Sequence, residues 1–437
     1  MNKTNLQIQR PTTIAILGGG IIGVTTGILL NMHGYKTKIY TEHMIEGMYN
    51  SKDRKRLPEL ASIFAAASII PHSVNHPSSE KMTAISQRFF HRLAFSANYG
   101  VRVQRHYELF EYKPEIPDYS QILKDITMLP DDGSGWQNDR SIPKRQGASG
   151  IWGWYFNAFF VETPTYGPKL YDLYRATGGT FIEGKIKNTE AFLDLNADIL
   201  INCSGRWATE LFPEDKKNTK VIRGHMVDIG AHEVPHDHRD QYFSYNYSPD
   251  INIYSRNDKQ HGKSHADVLF YPRSDGWLVG ASRQEGYPEI GQPWRDEDEQ
   301  IAVETIKLPG WDVEIPKPVW ELNRELILNI TDPAIDIANP KYKSTSLVGY
   351  RFGRDPLRIE AGESGNDKLL VHNYGHGGAG YTLSWGSAYE VLNIIRTQTG
   401  ETPAAHQRNL SGGLEATPIA MLEDLVRGIQ MKGSDKQ

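Results

Sequence analysis

One cysteine, Cys203, stands in the whole 437-residue chain. That excludes an intramolecular disulfide framework and any Cys-rich zinc or iron–sulfur site. Long hydrophobic runs are missing as well: no segment reaches the roughly 18 apolar residues that a membrane-spanning helix needs. The stretch Met1 to Thr13 is polar and has no apolar core with a cleavage site, and Gly433 to Gln437 is not a peroxisomal tripeptide signal, so the expected compartment is the cytoplasm. Positive charge is not in excess either. A net charge of -5 gives no global basic field to recruit nucleic acid or an anionic membrane, which leaves a small molecule as the expected partner. His232, His236, His238, His261 and His265 crowd one stretch, but without carboxylate spacing or cysteines they are not expected to hold a metal.

What is present is an ordinary globular composition, 39% hydrophobic and 23% charged, in a chain long enough for two or three domains. Thr13 to Leu17 is a short apolar run suited to a strand buried on both faces. Gly18-Gly19-Gly20-Ile21-Ile22-Gly23 follows at once and leads into a small, apolar helix ending near Met32, with Gly34 at its C-cap. Thr37 to Thr41 reads as a second strand, ending in Glu42. In such a unit Gly18 permits the tight turn, Gly20 lets backbone approach a pyrophosphate, and Gly23 allows helix and strand to pack closely. Glu42 is placed to accept hydrogen bonds from ribose hydroxyls. This is a dinucleotide site, and taken alone it does not separate FAD from NAD.

Further along, Ser79 to Tyr99 has helical periodicity through Met82, Ile85, Phe89 and Leu93. Strands are expected at 152–162, 180–183, 198–203, 346–352 and 369–372, and helices at 168–177, 296–306, 317–328 and 379–397, with a short amphipathic helix at 419–429. A polar, Tyr-rich insertion at 232–265 interrupts an otherwise strand-like region at 221–282 and reads as a loop with a function of its own. A second glycine turn, Gly375 to Gly380, opens the helix at 379–397. Its positive end would suit negative charge developing on a flavin, although a plain strand-to-helix turn has the same residues.

The segment Val348-Gly349-Tyr350-Arg351-Phe352-Gly353-Arg354-Asp355-Pro356-Leu357-Arg358-Ile359-Glu360, then Val371 to Thr382, resembles the C-terminal signature of D-amino-acid and D-aspartate oxidases. Ala65 to His72, Asn202 to Gly205, Arg223-Gly224-His225 and Pro272 to Arg283 extend the resemblance over most of residues 12–397. It implies an α/β fold: a Rossmann-like FAD-binding domain from 1–75, 161–220 and 346–400. A second, antiparallel-sheet substrate domain comes from 76–160 and 221–345, with a lid at 232–265 and a tail at 401–437. The resemblance also implies FAD as cofactor, with an amino acid and oxygen as the small-molecule partners. It puts Ala66, Ala67, Ser68, Ser204 and Gly205 beside the cofactor, and Gly377, Gly378, Ala379, Gly380, Tyr381 and Thr382 along the flavin. The Gly378 carbonyl is placed to accept a hydrogen bond from the substrate amine, and Arg351 is placed to bind the α-carboxylate. A guanidinium fork suits that task because its two parallel donors match a carboxylate. Arg354 and Arg358 are expected in surface or structural ion pairs, since three neighbouring arginines cannot all be ligands. No general base is expected, because hydride transfer from a neutral amino acid to a flavin asks mainly for positioning.

The chain departs from the family where a tyrosine is common. Leu269 stands there, and Tyr271, two residues on and on the same strand face, either supplies the hydroxyl from a neighbouring place or is a core tyrosine. His72 and Arg283 look more like D-aspartate oxidases, and a second arginine would suit a side-chain carboxylate; a loop histidine and a solvated arginine are the alternatives. Tyr242, Phe243, Tyr245, Tyr247 and Tyr254 in the insertion would cap the pocket or pack a homodimer contact. Two rival functions share these residues: a flavin dehydrogenase or oxidase of N-substituted amino acids, and a flavoprotein without catalysis.

Overall fold

The computed structural model describes residues 12–400 and Leu422, except for 50–56, 71–75, 96–98, 122, 124, 136–140, 231–232, 234, 238, 254–266, 287–289, 291–303, 309–310, 332–333, 343 and 365–366. His72, Tyr254, most of the helix expected at 296–306 and the tail helix at 419–429 lie outside the described residues.

Strand β1 (Thr13–Leu17) runs into helix α1 (Ile21–Met32) and back through strand β2 (Lys36–Thr41), with β1 and β2 parallel. Four of five β1 residues are buried, as the apolar run requires of a strand covered on both faces. Thr180–Glu183 joins β2, Ile199–Asn202 joins β1, and Leu369–His376 joins Ile199–Asn202, all in parallel. Five parallel strands with helices packed on them make the Rossmann-like half. The sheet then continues without a break: Thr345–Gly362 pairs antiparallel with Leu369–His376 and with Thr219–Asp228. Trp277–Gly280, Val268–Pro272, Phe243–Ser248, Val101–Phe110 and Trp152–Val161 follow in that order. The fold is therefore mixed α/β, and the long strand Thr345–Gly362 couples the five parallel strands to a region that is antiparallel except where Phe243–Ser248 pairs in parallel with Val101–Phe110. The second sheet region is thus mixed and not purely antiparallel as expected.

Two large cores correspond to these regions. One gathers α1, the helix Ser79–Ala94 and the helix Gly380–Thr399, where Phe89 stacks on Trp385 at 4.5 Å between ring centroids. The other lies under the antiparallel strands and takes in Phe243, Tyr245, Tyr247, Phe270, Trp277 and Trp320.

Several sequence expectations are corrected. Phe243–Ser248 is a fully buried strand in the middle of the sheet, so Phe243, Tyr245 and Tyr247 are core residues and neither cap a pocket nor pack a dimer contact. Only Tyr242 of the described aromatics there is exposed. Glu304–Leu308 is a strand paired with Trp311–Ile315, not the end of a helix. The helix expected from Pro168 starts at Thr163, because Pro164 is the proline in its first turn, where the missing N–H costs nothing. No helix among the described residues is long and apolar enough to cross a membrane.

Candidate active site

At the C-terminal ends of the parallel strands the chain opens a continuous cleft of about 2020 Å³ that runs on over the antiparallel strands. Pockets for drug-sized ligands are about 300–1,000 Å³, so this one has room for a dinucleotide and a small substrate together. It lies where ligands bind in open α/β sheets, outside the carboxyl ends of the strands.

The dinucleotide end is built by backbone. Gly18 has φ +110°, and a Cβ there would sit 2.3 Å from the Cys203 carbonyl oxygen of the neighbouring strand. A Cβ on Gly23 would sit 1.9 Å from the Gly18 carbonyl oxygen, so only glycine lets α1 start this close to β1. Gly18, Gly20, Ile21 and Ile22 line the cleft, whereas Gly23 is held behind the turn and does not. The Ile21 N–H donates to Ser62 Oγ at 3.0 Å, and Tyr171 donates to the Gly19 carbonyl at 2.6 Å, which fixes the turn from two other parts of the chain. Glu42 lines the cleft at the end of β2 and accepts from Lys185 Nζ at 3.0 Å. Ala66, Ala67, Ser68, Ser204 and Gly205 line the same wall. Ser204 Oγ donates to Asn202 Oδ1 at 2.6 Å, and Ala67 holds the left-handed φ of +57°, a strained value for a residue with a Cβ.

The second glycine turn closes over the middle of the cleft. Gly377–Ala379 is a short 3-10 turn leading into the helix Gly380–Thr399, whose N-terminal partial positive charge faces the cleft. Gly377, Gly378, Gly380, Tyr381 and Thr382 line the cleft, while Ala379 is buried away from it. His376, just before the turn, is buried. Burial, with His76 nearby, pushes its pKa down to about 3, so its imidazole is neutral at ordinary pH.

Arg351 rises from the long strand opposite Ile222, on the face that carries Gly224 and Gly349. A Cβ on Gly224 would lie 3.6 Å from Arg351 Cζ, and one on Gly378 would lie 3.9 Å from Arg351 Cδ. The guanidinium is thus laid over bare backbone beside the Gly378 turn. Arg354 and Arg358 are held differently: Arg354 Nε donates to both Asp215 oxygens, at 2.8 and 2.6 Å, and Arg358 donates to the Tyr374 hydroxyl at 2.8 Å and to Glu360. Burial alone would raise Asp215, but hydrogen bonds from Arg354, Tyr374 and Asn218 hold its pKa down to about 2. Both arginines are therefore structural, as expected from the sequence.

Tyr271 lines the far end of the cleft and donates to Asn246 Oδ1 at 2.9 Å. Burial lifts its hydroxyl pKa far above the usual tyrosine range. Arg283 lines the same end, with Nη2 donating to Asp267 Oδ2 at 2.8 Å. Sequence reasoning missed Asn246, Asp267 and Ser62. The alternation of aromatic and polar residues in Phe243-Ser244-Tyr245-Asn246-Tyr247-Ser248 was the signal for the first.

The residues present fit FAD. A turn without side chains at a helix N-terminus suits its pyrophosphate, Glu42 its ribose, and the second glycine turn the flavin. Comparison with known proteins agrees. D-amino-acid oxidase from Streptomyces coelicolor is 23% identical over 404 residues, covering 90% of this chain and 99% of that protein. D-aspartate oxidase from Talaromyces thermophilus is 24% identical over 412 residues, covering 88% and 95%. Among solved structures, glycine oxidase from Bacillus cereus shares the fold with a TM-score of 0.56 at 16% identity, covering 89% of this chain and 95% of that one. The model of the family described as FAD dependent oxidoreductase (DAO) matches residues 13–393, and the chain belongs to that family of FAD-dependent enzymes.

Proposed function

We propose that this protein oxidises D-amino acids, converting the amino acid, oxygen and water into a 2-oxo acid, ammonia and hydrogen peroxide. The observation that carries the reading is Arg351, set beside the Gly378 turn in the cleft that also contains the Gly18 turn.

In this reading the Arg351 fork holds the α-carboxylate, and the two parallel hydrogen bonds fix rotation as well as position. The Gly378 carbonyl accepts from the amine and so orients Cα. FAD, when bound, would supply the two-electron acceptor for the Cα–H bond, with oxygen as the final acceptor. Gly18, Gly20, Ile21 and Ile22 hold its pyrophosphate, with Gly23 behind them, and Glu42 holds its ribose. Ala66, Ala67, Ser68, Ser204 and Gly205 form its side wall. Gly377, Gly378, Gly380, Tyr381 and Thr382 lie along the flavin, backed by Ala379. Tyr271 keeps its proton throughout the working pH range, so it binds substrate and takes no proton from it. The missing general base leaves the rate to alignment.

Neutral substrates fit better than acidic ones, since Arg283 already faces Asp267. The single buried thiol and ordinary charge balance are compatible with a cytoplasmic protein.

The test is aerobic turnover of D- and L-alanine with peroxide, ammonia and pyruvate measured together. Equal yields of the three from the D-enantiomer are expected. Turnover only with an artificial electron acceptor points to a dehydrogenase, and no turnover of any D-amino acid under either condition removes the reading.

A further inference from the structure

Resting on that reading, we infer that Tyr271 and Asn246 make the side-chain end of the cleft a hydrogen-bond acceptor. It selects substrates whose side chain carries an N–H or O–H donor over those that carry a carboxylate.

The polarity follows from one chain of hydrogen bonds. Asn246 Nδ2 lies 3.0 Å from Glu108 Oε1. A carboxylate only accepts, so the amide must turn its NH2 toward Glu108 and its oxygen toward Tyr271. That oxygen also only accepts, and it meets the Tyr271 hydroxyl at 2.9 Å. Tyr271 therefore gives its single proton to Asn246, and its hydroxyl oxygen has only lone pairs left for a ligand. Tyr271, Asn246 and Glu108 are all buried, so water does not compete to reverse the order. His106 Nε2, at 3.2 Å from Glu108 Oε1, and Ser244 Oγ, at 2.9 Å from His106 Nδ1, hold the far end.

Position agrees with this role. From Arg351 to Tyr271 the sheet crosses from Thr345–Gly362 to Thr219–Asp228, Trp277–Gly280 and Val268–Pro272. Tyr271 is level with Leu278, Asp228 and Thr345, six residues along the sheet from Arg351 and on the same face. The backbones are thus roughly 14 Å apart across the strands and roughly 20 Å apart along them, a span that the two long side chains and an extended amino acid between them, carboxylate at Arg351 and side chain at Tyr271, share within one cleft. Among the described residues at this end, the charges of Arg283 and Asp267 face each other at 2.8 Å and offset one another. A side-chain carboxylate there would meet lone pairs, with the Glu108 charge behind them. An amide, hydroxyl or ammonium would meet an acceptor.

The test uses near-isosteric pairs with holoenzyme: D-glutamine against D-glutamate and D-lysine against D-norleucine. The donor-bearing member of each pair is expected to have a kcat/KM about tenfold or more above its partner. In Tyr271→Phe and Asn246→Leu the ratios are expected to fall to within about threefold, and as ratios inside one variant they are indifferent to its overall rate. Wild-type ratios near one, preference for D-glutamate, or ratios unmoved in both variants would overturn the inference. If no D-amino acid is turned over, the preceding reading fails. Dissociation constants from perturbation of the flavin spectrum then give the same ratios and still decide this one.

Discussion

Arg351→Met removes the guanidinium fork while keeping most of the apolar stem. The side chain is half-buried and laid over Gly224, where a Cβ would lie 3.6 Å from its Cζ, so the methionine has space to follow the same path. Two charge-assisted hydrogen bonds at about 1.5–3 kcal/mol each set the loss at about 3–6 kcal/mol. Partial exposure argues for the lower half of that range, which is about a 10²- to 10³-fold fall in kcat/KM. Arg351→Lys keeps the charge but offers a point donor without the planar fork, and about a tenfold to thirtyfold fall is expected. The assay is steady-state peroxide release across D-alanine concentrations, with flavin content measured on the same samples. Because the fork also aligns Cα, kcat should fall along with the rise in KM. An Arg351→Met enzyme with full flavin and kcat/KM within fivefold of wild type would refute this account of the arginine.

Gly23→Ala drives a methyl to 1.9 Å from the Gly18 carbonyl oxygen, so the turn or the helix start must shift. Overpacking of this kind costs about 1–3 kcal/mol, and the variant should purify with much less flavin per chain; full flavin occupancy would contradict the role of the turn. Asp215→Asn removes a carboxyl held at about 2, well below its unfolded value. A lowered native pKa contributes stability that is present above about pH 4 and lost as pH falls toward 2, here about 2 kcal/mol. The wild type should therefore lose Tm over that window more steeply than Asp215→Asn, and parallel curves would exclude the effect. Cys203 is buried, which pushes its thiol up to about 12, so a thiol reagent at pH 8 should label the chain only as it unfolds. Rapid labelling of native protein would contradict that.

The parts of the fold legible in sequence are those set by neighbours along the chain. β1, its glycine turn and α1 are encoded within Thr13–Met32, where an apolar run, three spaced glycines and a small-residue helix leave few other arrangements. That Arg354 forms an ion pair was legible because the family resemblance put the carboxylate site at Arg351 and three neighbouring arginines cannot all be ligands. Its partner Asp215 was not, since the two are 139 residues apart. The buried strand Phe243–Ser248 was hidden for a different reason. Its aromatic face packs into the core and its polar face, Ser244 and Asn246, joins a buried hydrogen-bond chain, so composition alone resembles a loop. Arg283 looked like a spare cation until its partner at Asp267 was placed beside it. Ser62, which meets the first N–H of α1, is likewise brought there only by the tertiary fold.

The most direct measurement is anaerobic mixing of the flavin-loaded protein with D-alanine, followed by the visible absorption of oxidised flavin. Loss of that band with D-alanine, its persistence with L-alanine, and a rate at least about a hundredfold lower in Arg351→Met are expected. A band unmoved by every D-amino acid tried, or one lost as fast without Arg351 as with it, would contradict a carboxylate gripped by that arginine beside FAD.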